Sequence, residues 1–393
     1  MRVRRCAVLW MEPRELAQFD LNDLLAGGTG VVSRLQWFAH APHLPAPIGI
    51  DADAVAVLGE TSPTDWMDAN VMRQRFGAAC VRKLLQAGLL IGSTKPWASQ
   101  REAEARLASL HWHGLASVWH MASRWQGVDS AQGMIDAGVN SAEGLREKHG
   151  APPAAVLERG GNDGRIGLPA SVPDELDALL DARTTCRNFD PQAPLPLAML
   201  SRMLIRTFGA RGRMQAADEY DVIKRTSPSG GALHPTECYL VVQRVDGLLP
   251  GLYHYHLGAH ALEPLPQPAG FDQAAFALTA VSGQHWFAEA PVLCVLAPRF
   301  SRNFWKYRNH PKAYRVCILD VGHLSQTLQL CATHEGLGSF VTAAINEVEI
   351  EHAFGLHGAI DGPLAVCGFG RRAQAMATYE LDPNGRIWPL SKP

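Results

Sequence analysis

The sequence lacks both a long hydrophobic run and a strong excess of one charge. Its 393 residues include 36 lysines and arginines and 38 aspartates and glutamates, for a formal net charge of −2. This balance excludes a broad electrostatic attraction to nucleic acid or to an anionic membrane. No apolar stretch approaches the ~20 residues of a membrane-spanning helix. The opening MRVRRCAVLWMEPRE has only a short apolar run that ends in acid, so we expect no signal peptide and a cytoplasmic location.

The spacings of a disulfide or zinc site are also missing. None of the eight cysteines forms a Cys-x-x-Cys pair, and most lie in apolar runs such as VLCVLA around Cys294. We therefore expect buried free thiols. The sixteen histidines include a local cluster in LHWHGLASVWH, formed by His111, His113 and His120. This cluster has no i, i+4 pair and the chain has no HExxH motif, so we expect no metal site.

A change in composition predicts two domains. The stretch GAPPAAVLERGGNDGRIGLPASVP is rich in glycine and proline and has no apolar period, which indicates a linker. We expect an N-terminal domain over residues 1–150, a linker over 151–175 and a C-terminal domain over 176–393. Length alone also favours more than one domain.

The N-terminal domain contains one helix pattern, VMRQRFGAACVRKLLQAGLL. Apolar residues share one helical face: Phe76, Cys80, Leu84 and Leu85. Gly88 is suited to end the helix, and LLIG then suits a short strand. We expect a mostly helical, winged-helix-like domain. Peptide recognition, DNA recognition and plain packing are the alternatives, and the basic residues are few for a DNA-binding face: Arg73, Arg75, Arg82 and Lys83.

The C-terminal domain mixes two periods. LPLAMLSRMLIRTFG, DVGHLSQTLQLCATHEGLG and EVEIEHAFGL predict helices, whereas CYLVVQRV, GLYHYH, PVLCVLA and PLAVCGFG predict strands. Because strands and helices interleave along the chain, we expect an α+β fold with a mixed sheet and packed helices.

Arginines and hydroxyls in two segments are suited to bind an anion. RTTCRNF (Arg183–Phe189) places two arginines around two threonines, and GFGRR (Gly368–Arg372) ends in two more arginines. An arginine fork and short hydroxyls are good donors to phosphate, although such arginines are also common on solvated surfaces. The sequence has no P-loop and no GxGxxG motif, so a nucleotide would be held in another way.

Two further segments have a structural and a chemical interpretation. TSPSGGALHPTE (Thr226–Glu237) contains two glycines, which allow the backbone to approach a flat ligand closely or simply to turn. FWKYRNHPKAYR contains the neighbours Lys306 and Tyr307. Burial or a nearby cation can lower such pKa values and create a proton acceptor, whereas an exposed pair is inert.

Taken in order, these segments resemble the nitroreductase-like flavin superfamily. The motifs RTTCRNF, SPSGG-x-x-HPTE, GLYHY, WKY, EGLGSFVTAA and GFGRR extend over about Asp181–Arg372. More narrowly, they resemble the SagB/McbC-type dehydrogenases of ribosomal peptide maturation. The resemblance implies FMN held at the interface of a homodimer, and a nitroreductase-like fold for the C-terminal domain.

The resemblance also assigns roles to residues. Phosphate and ribityl oxygens would be bound by Arg183, Thr184, Thr185 and Arg187, with help from Arg371 or Arg372. The ring would be contacted by Gln284, by Val341, Thr342, Ala343 and Ala344, and, from the partner subunit, by Pro228, Ser229, Gly230, Gly231 and Ala232. Thr184 stands where a basic residue is common, and Thr185 where the family pattern has serine. Relatives outside the peptide-maturing group often have asparagine at the position of Ala232. Lys306 and Tyr307 match the catalytic pair of the peptide dehydrogenases.

The activity implied is oxidation of a thiazoline or oxazoline in a precursor peptide to the aromatic azole, with a cyclodehydratase as a partner. One alternative is a reductase of dehydroamino acids in a peptide, or of nitro or quinone compounds with NAD(P)H. Another is a non-catalytic peptide-binding scaffold. The residues themselves leave these alternatives open.

Overall fold

A computed structural model describes residues 1–159, 164–268 and 270–389. The chain divides into two compact units: unit 1 is Met1–Arg124 with Phe300–Arg315, and unit 2 is Trp125–Arg299 with Val316–Pro393. This division falls after Arg124 and returns a later segment to unit 1, which no local change in composition signals. The domain limits predicted at residues 150 and 175 remain a prediction.

The strands are numbered along the chain. They are β1 (Arg2–Arg5), β2 (Trp10–Phe19), β3 (Val31–His40), β4 (Ile48–Ile50), β5 (Met67–Asp68), β6 (Leu90–Gly92), β7 (Leu195–Pro196), β8 (Gly212–Ala217), β9 (Tyr220–Lys224), β10 (Thr236–Val242), β11 (Val245–Asp246), β12 (Gly251–His256), β13 (Ala261–Pro264), β14 (Val292–Pro298), β15 (Gly338–Thr342) and β16 (Ala365–Gly370).

The helices are numbered in the same way. They are α1 (Leu21–Leu25), α2 (Ala52–Glu60), α3 (Ala69–Phe76), α4 (Ala78–Gln86), α5 (Ala98–Ser109), α6 (Gly114–Ser123), α7 (Ser130–Asp136), α8 (Ala142–His149), α9 (Glu175–Ala182), α10 (Leu197–Thr207), α11 (Gln273–Ala280), α12 (His285–Ala288), α13 (Phe300–Phe304), α14 (Ala313–His334), α15 (Glu347–Phe354) and α16 (Gly358–Asp361). Short 3₁₀ turns lie at Lys95–Trp97 and Gly230–Ala232.

Unit 1 combines two antiparallel sheets with helices α2–α4. The sheet orders are β5-β1-β6 and β2-β3-β4, and β2 and β3 form a long hairpin. Its core includes Val3, Leu58, Met72 and Leu84, all at most 1% exposed. The winged-helix assignment of this region remains a prediction.

The single helix predicted from VMRQRFGAACVRKLLQAGLL is wrong, because the structure has two helices there. Helices α3 and α4 are separated by Gly77, whose φ of 83° and ψ of 136° lie outside the range that other residues adopt readily. The predicted end at Gly88 and the short strand after it, β6, are confirmed.

Unit 2 is built on a six-stranded antiparallel sheet in the order β13-β12-β10-β14-β16-β15. Alternate residues of each strand enter opposite cores. Leu240 and Val242 of β10 pack with helices α10 and α14, whereas Val241 packs with α11, α12 and α15. The predicted α+β fold with packed helices is confirmed, but the prediction of a mixed sheet is wrong, because all described strand pairs of this sheet are antiparallel.

The cysteines follow the sequence-based expectation. All eight lie in the described ranges as free thiols, and six of them are buried. Burial raises the pKa of Cys6 and of Cys186 to about 12. Within the described residues, no helix is long and apolar enough for a membrane span.

Candidate functional site

The Arg183–Phe189 segment begins where helix α9 ends and then runs beside strand β15. The Asp174 side chain caps the first turn of α9, which fixes where the helix starts. Thr185 forms a parallel bridge with Ser339 of β15, and the Cys186 amide donates to the Ser339 carbonyl over 2.8 Å. The predicted anion-binding segment therefore lies at the edge of the main sheet.

Arg372 is joined to this segment through a buried carboxylate. Its guanidinium forms an ion pair with Glu380, whose side chain is 0% exposed, and donates to the Thr184 carbonyl over 2.8 Å. Glu380 accepts further hydrogen bonds from the Arg187 amide, the Asn188 amide and side chain, and the Trp388 indole. Burial alone would raise the pKa of Glu380, but these bonds and Arg372 hold it below 4.5.

Asn188 ties C-terminal residues to the same segment. Its Oδ1 accepts from the Ala377 and Thr378 amides at 2.8 and 2.7 Å, and its Nδ2 donates to the Thr378 carbonyl over 2.7 Å. The Arg187 guanidinium donates to the Tyr379 carbonyl over 3.2 Å. Asn188 and Glu380 were not predicted from the sequence, because no local pattern links residues this far apart in the chain.

Arg183 and Arg371 have different surroundings from Arg187 and Arg372. The Arg183 guanidinium donates to the neutral amide of Gln329 on α14 over 3.2 Å. Arg371 is exposed, and its carbonyl accepts from the Asp190 amide. In the described part of the chain, neither guanidinium forms an ion pair with a carboxylate, so both charges remain available to an anion.

The double-glycine loop is anchored on helix α14 through Asp320. Ser229 Oγ donates to Asp320 Oδ2 over 2.5 Å, and the Gly230 amide donates to Oδ1 over 3.2 Å. Burial raises the pKa of Asp320, and these two hydrogen bonds oppose the shift. Ser227 Oγ lies 2.6 Å from Thr327 Oγ1 on the same helix.

The loop backbone is unusual at three successive positions. Gly230 packs so closely on α14 that an added Cβ would overlap Val316. Gly231 and Ala232 both have positive φ values, of 64° and 57°. Since a positive φ is uncommon for alanine, the anchoring by Asp320 and α14 holds a conformation that the loop sequence alone does not favour.

The HPTE and GLYHY motifs meet each other on adjacent strands. Glu237 of β10 lies 2.7 Å from Arg299 Nε and 3.4 Å from Nε2 of His254 on β12. Nδ1 of the same histidine lies 2.7 Å from Glu263 Oε2. The hydrogen bond to Glu237 raises the pKa of His254 above 6.5, against the effect of burial. These residues link neighbouring strands by an ionic network.

Gln284 is brought together with the residues that follow β15. Its buried side chain donates from Nε2 to Thr342 Oγ1 over 3.2 Å and to the Ala344 carbonyl over 2.9 Å. The Ala344 amide in turn donates to Thr342 Oγ1 over 3.1 Å. Val341 and Ala344 are half-buried and Ala343 is exposed. Two predicted ring-contacting segments therefore form one hydrogen-bonded cluster.

Strand β15 and helix α14 connect most of the segments of unit 2 that hold predicted cofactor residues. Strand β15 carries Ser339, which pairs with the arginine segment, and Thr342, which binds Gln284. Helix α14 carries Asp320, which holds the glycine loop, and Gln329, which binds Arg183. The roles of these residues toward a cofactor remain a prediction.

Lys306 and Tyr307 belong to unit 1. The Lys306 ammonium lies 5.6 Å from the centroid of the Tyr307 ring, and Lys306 is exposed while Tyr307 is half-buried. Nearby, His120 of the histidine cluster is buried, and its Nδ1 lies 2.8 Å from the Tyr314 hydroxyl. Among the described residues, no group of three or more His, Cys, Asp or Glu could hold a metal ion.

Known proteins match part of this chain. Residues 180–371 match the model of the nitroreductase family. MJ1384 of Methanocaldococcus jannaschii, whose name assigns it to the nitroreductases, is 29% identical over 54% of this chain and all of its own length. The trifolitoxin-processing protein TfxB of Rhizobium leguminosarum bv. trifolii is 29% identical over 39% of this chain and 40% of its own.

Another peptide-processing protein and a solved structure extend the comparison. The microcin B17-processing protein McbC of Escherichia coli is 25% identical over 47% of this chain and 65% of its own. A chain of the E. coli microcin synthetase McbBCD complex, solved with truncated pro-MccB17 bound, has a TM-score of 0.53 at 20% identity, over 68% of this chain and 94% of that one. Residues 180–371 thus form a nitroreductase-family domain, related in sequence to two peptide-processing proteins.

Proposed function

We propose that this chain is an FMN-dependent oxidoreductase that acts on a ribosomally made precursor peptide and oxidises its azolines to azoles. The observation that carries the proposal is the nitroreductase-family domain whose relatives TfxB and McbC are named as peptide-processing proteins. The same proposal includes two partners. One is a cyclodehydratase, which would form the azoline, and the other is a second copy of this chain.

The donors in unit 2 fit the phosphate and the ring of FMN. Arg183 and Arg371 have guanidinium groups that the described carboxylates do not neutralise, and Thr184 and Thr185, which follow Arg183 in the chain, have hydroxyl groups. Such a set suits a phosphate dianion. The amides that follow β15, together with Gln284, would lie against the ring, and the loop of residues 228–232 would reach it from the partner subunit.

The chain's own residues would bind the cofactor, orient the substrate and accept a proton. When bound, FMN would supply an acceptor for a hydride. Oxidation of an azoline removes a hydride from one ring carbon and a proton from the next, and the product ring is aromatic. Lys306 or Tyr307 would receive the proton, which requires a reacting distance of about 3–3.5 Å in the complex.

The proposal is tested with a thiazoline-bearing peptide and FMN-loaded protein. We expect each ring to lose two hydrogen atoms by mass spectrometry. Lys306→Ala and Tyr307→Phe should retain FMN and lower turnover by about 10²–10⁴-fold, the usual contribution of a proton acceptor. Full turnover in both variants would remove the catalytic assignment.

Reduction is the second candidate, because the M. jannaschii relative, whose name assigns it to the nitroreductases, matches over its entire length. Rapid NAD(P)H consumption with a nitro compound or a dehydroamino acid peptide, and no oxidation of the azoline, would favour it. Peptide binding that persists without flavin and without any turnover would instead indicate a scaffold.

A further inference from the structure

One buried side chain closes the loop that carries Lys306 and Tyr307. Asn303 of helix α13 is 0% exposed, and its Nδ2 donates to the Ala313 carbonyl over 2.8 Å, ten residues further along the chain. The main-chain carbonyl of Asn303 accepts hydrogen bonds from the Lys306 and Tyr307 amides at 3.3 and 3.2 Å. Asn303 therefore contacts both ends of the loop and the backbone of both predicted catalytic residues.

The side chain of Asn303 makes only part of the hydrogen bonds that it could form. Its Oδ1 is buried without a hydrogen-bond partner in the described structure, and a buried unsatisfied polar atom costs about 1–3 kcal/mol. Leucine would remove this unsatisfied oxygen, but it is larger than asparagine and would also lose the bond to the Ala313 carbonyl. Local departures from the best side-chain chemistry are typical of functional positions. What an asparagine provides at this position is the hydrogen bond from Nδ2 to the Ala313 carbonyl.

The rest of the loop is held by other residues of unit 1. The Asn309 amide donates to the His111 carbonyl over 2.8 Å. Three rings at the two ends of the loop pack against Trp112, with centroids 4.7, 4.6 and 5.4 Å away: Phe300, Phe304 and Tyr314. Residues of the histidine cluster thus contact this loop and the two ends of it. Asn303 adds a side-chain hydrogen bond to these contacts.

We propose that Asn303 is a positioning residue, whose bond to Ala313 closes the loop and fixes Lys306 and Tyr307 for proton transfer. This inference rests on the proposed function, since it assumes that this pair accepts the proton. A misplacement of about 1 Å can cost 10²-fold in rate, so an open loop would lose turnover without losing cofactor or substrate.

The test is Asn303→Leu in the full chain loaded with FMN. We expect kcat on the thiazoline peptide to fall by about 10–100-fold, with unchanged KM and FMN affinity. Trypsin should cleave faster after Lys306, Arg308 and Lys312, which are exposed in the loop. Ser301→Ala, at an exposed position of the same helix, is the matched control and should behave like the parent.

Unchanged turnover together with an unchanged tryptic rate in Asn303→Leu would overturn the inference. If Lys306→Ala and Tyr307→Phe also keep full turnover, the proposed function fails separately, and the tryptic rate still decides whether Asn303 closes the loop. Should Asn303→Leu not fold, Asn303→Ala decides, because it removes the Nδ2 donor without adding volume: it should show the same loss of turnover and the same faster tryptic cleavage, and parent values of both would refute the inference.

Discussion

Glu380 is the buried carboxylate on which the arginine segment and the C-terminal residues converge. The sequence motifs predict four arginines near an anion, but they do not distinguish those that bind it from those that hold the protein together. In the structure, Arg372 is paired with Glu380 and Arg187 is bonded to Tyr379. Among the described groups, neither Arg183, which donates to the neutral Gln329, nor the exposed Arg371 pairs with a carboxylate, so these two are the candidates for the phosphate.

Glu380→Gln tests this distinction. It should lower the free energy of unfolding by about 3 kcal/mol at neutral pH, because Arg372, whose side chain is only 15% exposed, is left without its ionic partner. The pKa of Glu380 is lowered in the folded protein. Its contribution is therefore complete above about pH 5 and decreases as the pH falls through the lowered pKa. Denaturant unfolding at several pH values measures this difference.

The matched control is Asp181→Asn. Asp181 pairs with Arg386 of the C-terminal residues at 3.2 Å, but both side chains are about half exposed. An exposed pair of this kind contributes at most about 1 kcal/mol. Equal losses in the two variants would mean that the Glu380 site is no more than a surface ion pair.

Secondary-structure elements were predictable where one period extended over a whole element. Strands β10, β14 and β16 and helices α10 and α15 lie where the apolar patterns predict them. The patterns did not predict the break between the two helices at Gly77, since the apolar residues keep their helical spacing on both sides of it. They also gave no sign that Phe300–Arg315 belongs to unit 1, because that depends on packing with residues nearly 200 positions earlier.

The break between α3 and α4 can be tested with a pair of glycine substitutions. Gly77→Ala should destabilise unit 1 by about 1–3 kcal/mol, because its φ of 83° and ψ of 136° are unfavourable for alanine. Gly59→Ala lies inside α2 with open space around it, so it should be neutral or stabilise by up to about 1 kcal/mol. Thermal unfolding of both variants provides the measurement, and a stabilised Gly77→Ala would indicate one continuous helix.

For the whole molecule, the question is whether the nitroreductase-family domain pairs with that of a second chain. Helix α14 exposes Ile318 and Leu319, 40% and 60% accessible, next to Asp320, which anchors the glycine loop. Exposed apolar residues beside a loop proposed to reach a partner's cofactor favour an interface between two copies. The amino-acid pattern predicted helix α14, but only the fold shows which of its residues remain uncovered.

Leu319→Lys should convert the proposed dimer to a monomer, because a lysine in an apolar interface is costly to bury. The FMN content should fall as well, because the loop of residues 228–232 would no longer reach the second chain. Sedimentation velocity and the flavin-to-protein ratio measure the two effects together. Leu249→Lys is the control, at an 80% exposed apolar position of the same unit, and should stay dimeric and yellow. A Leu319→Lys variant that is monomeric yet fully loaded would show that each chain binds its flavin alone, and a parent that is already monomeric would refute the pairing itself.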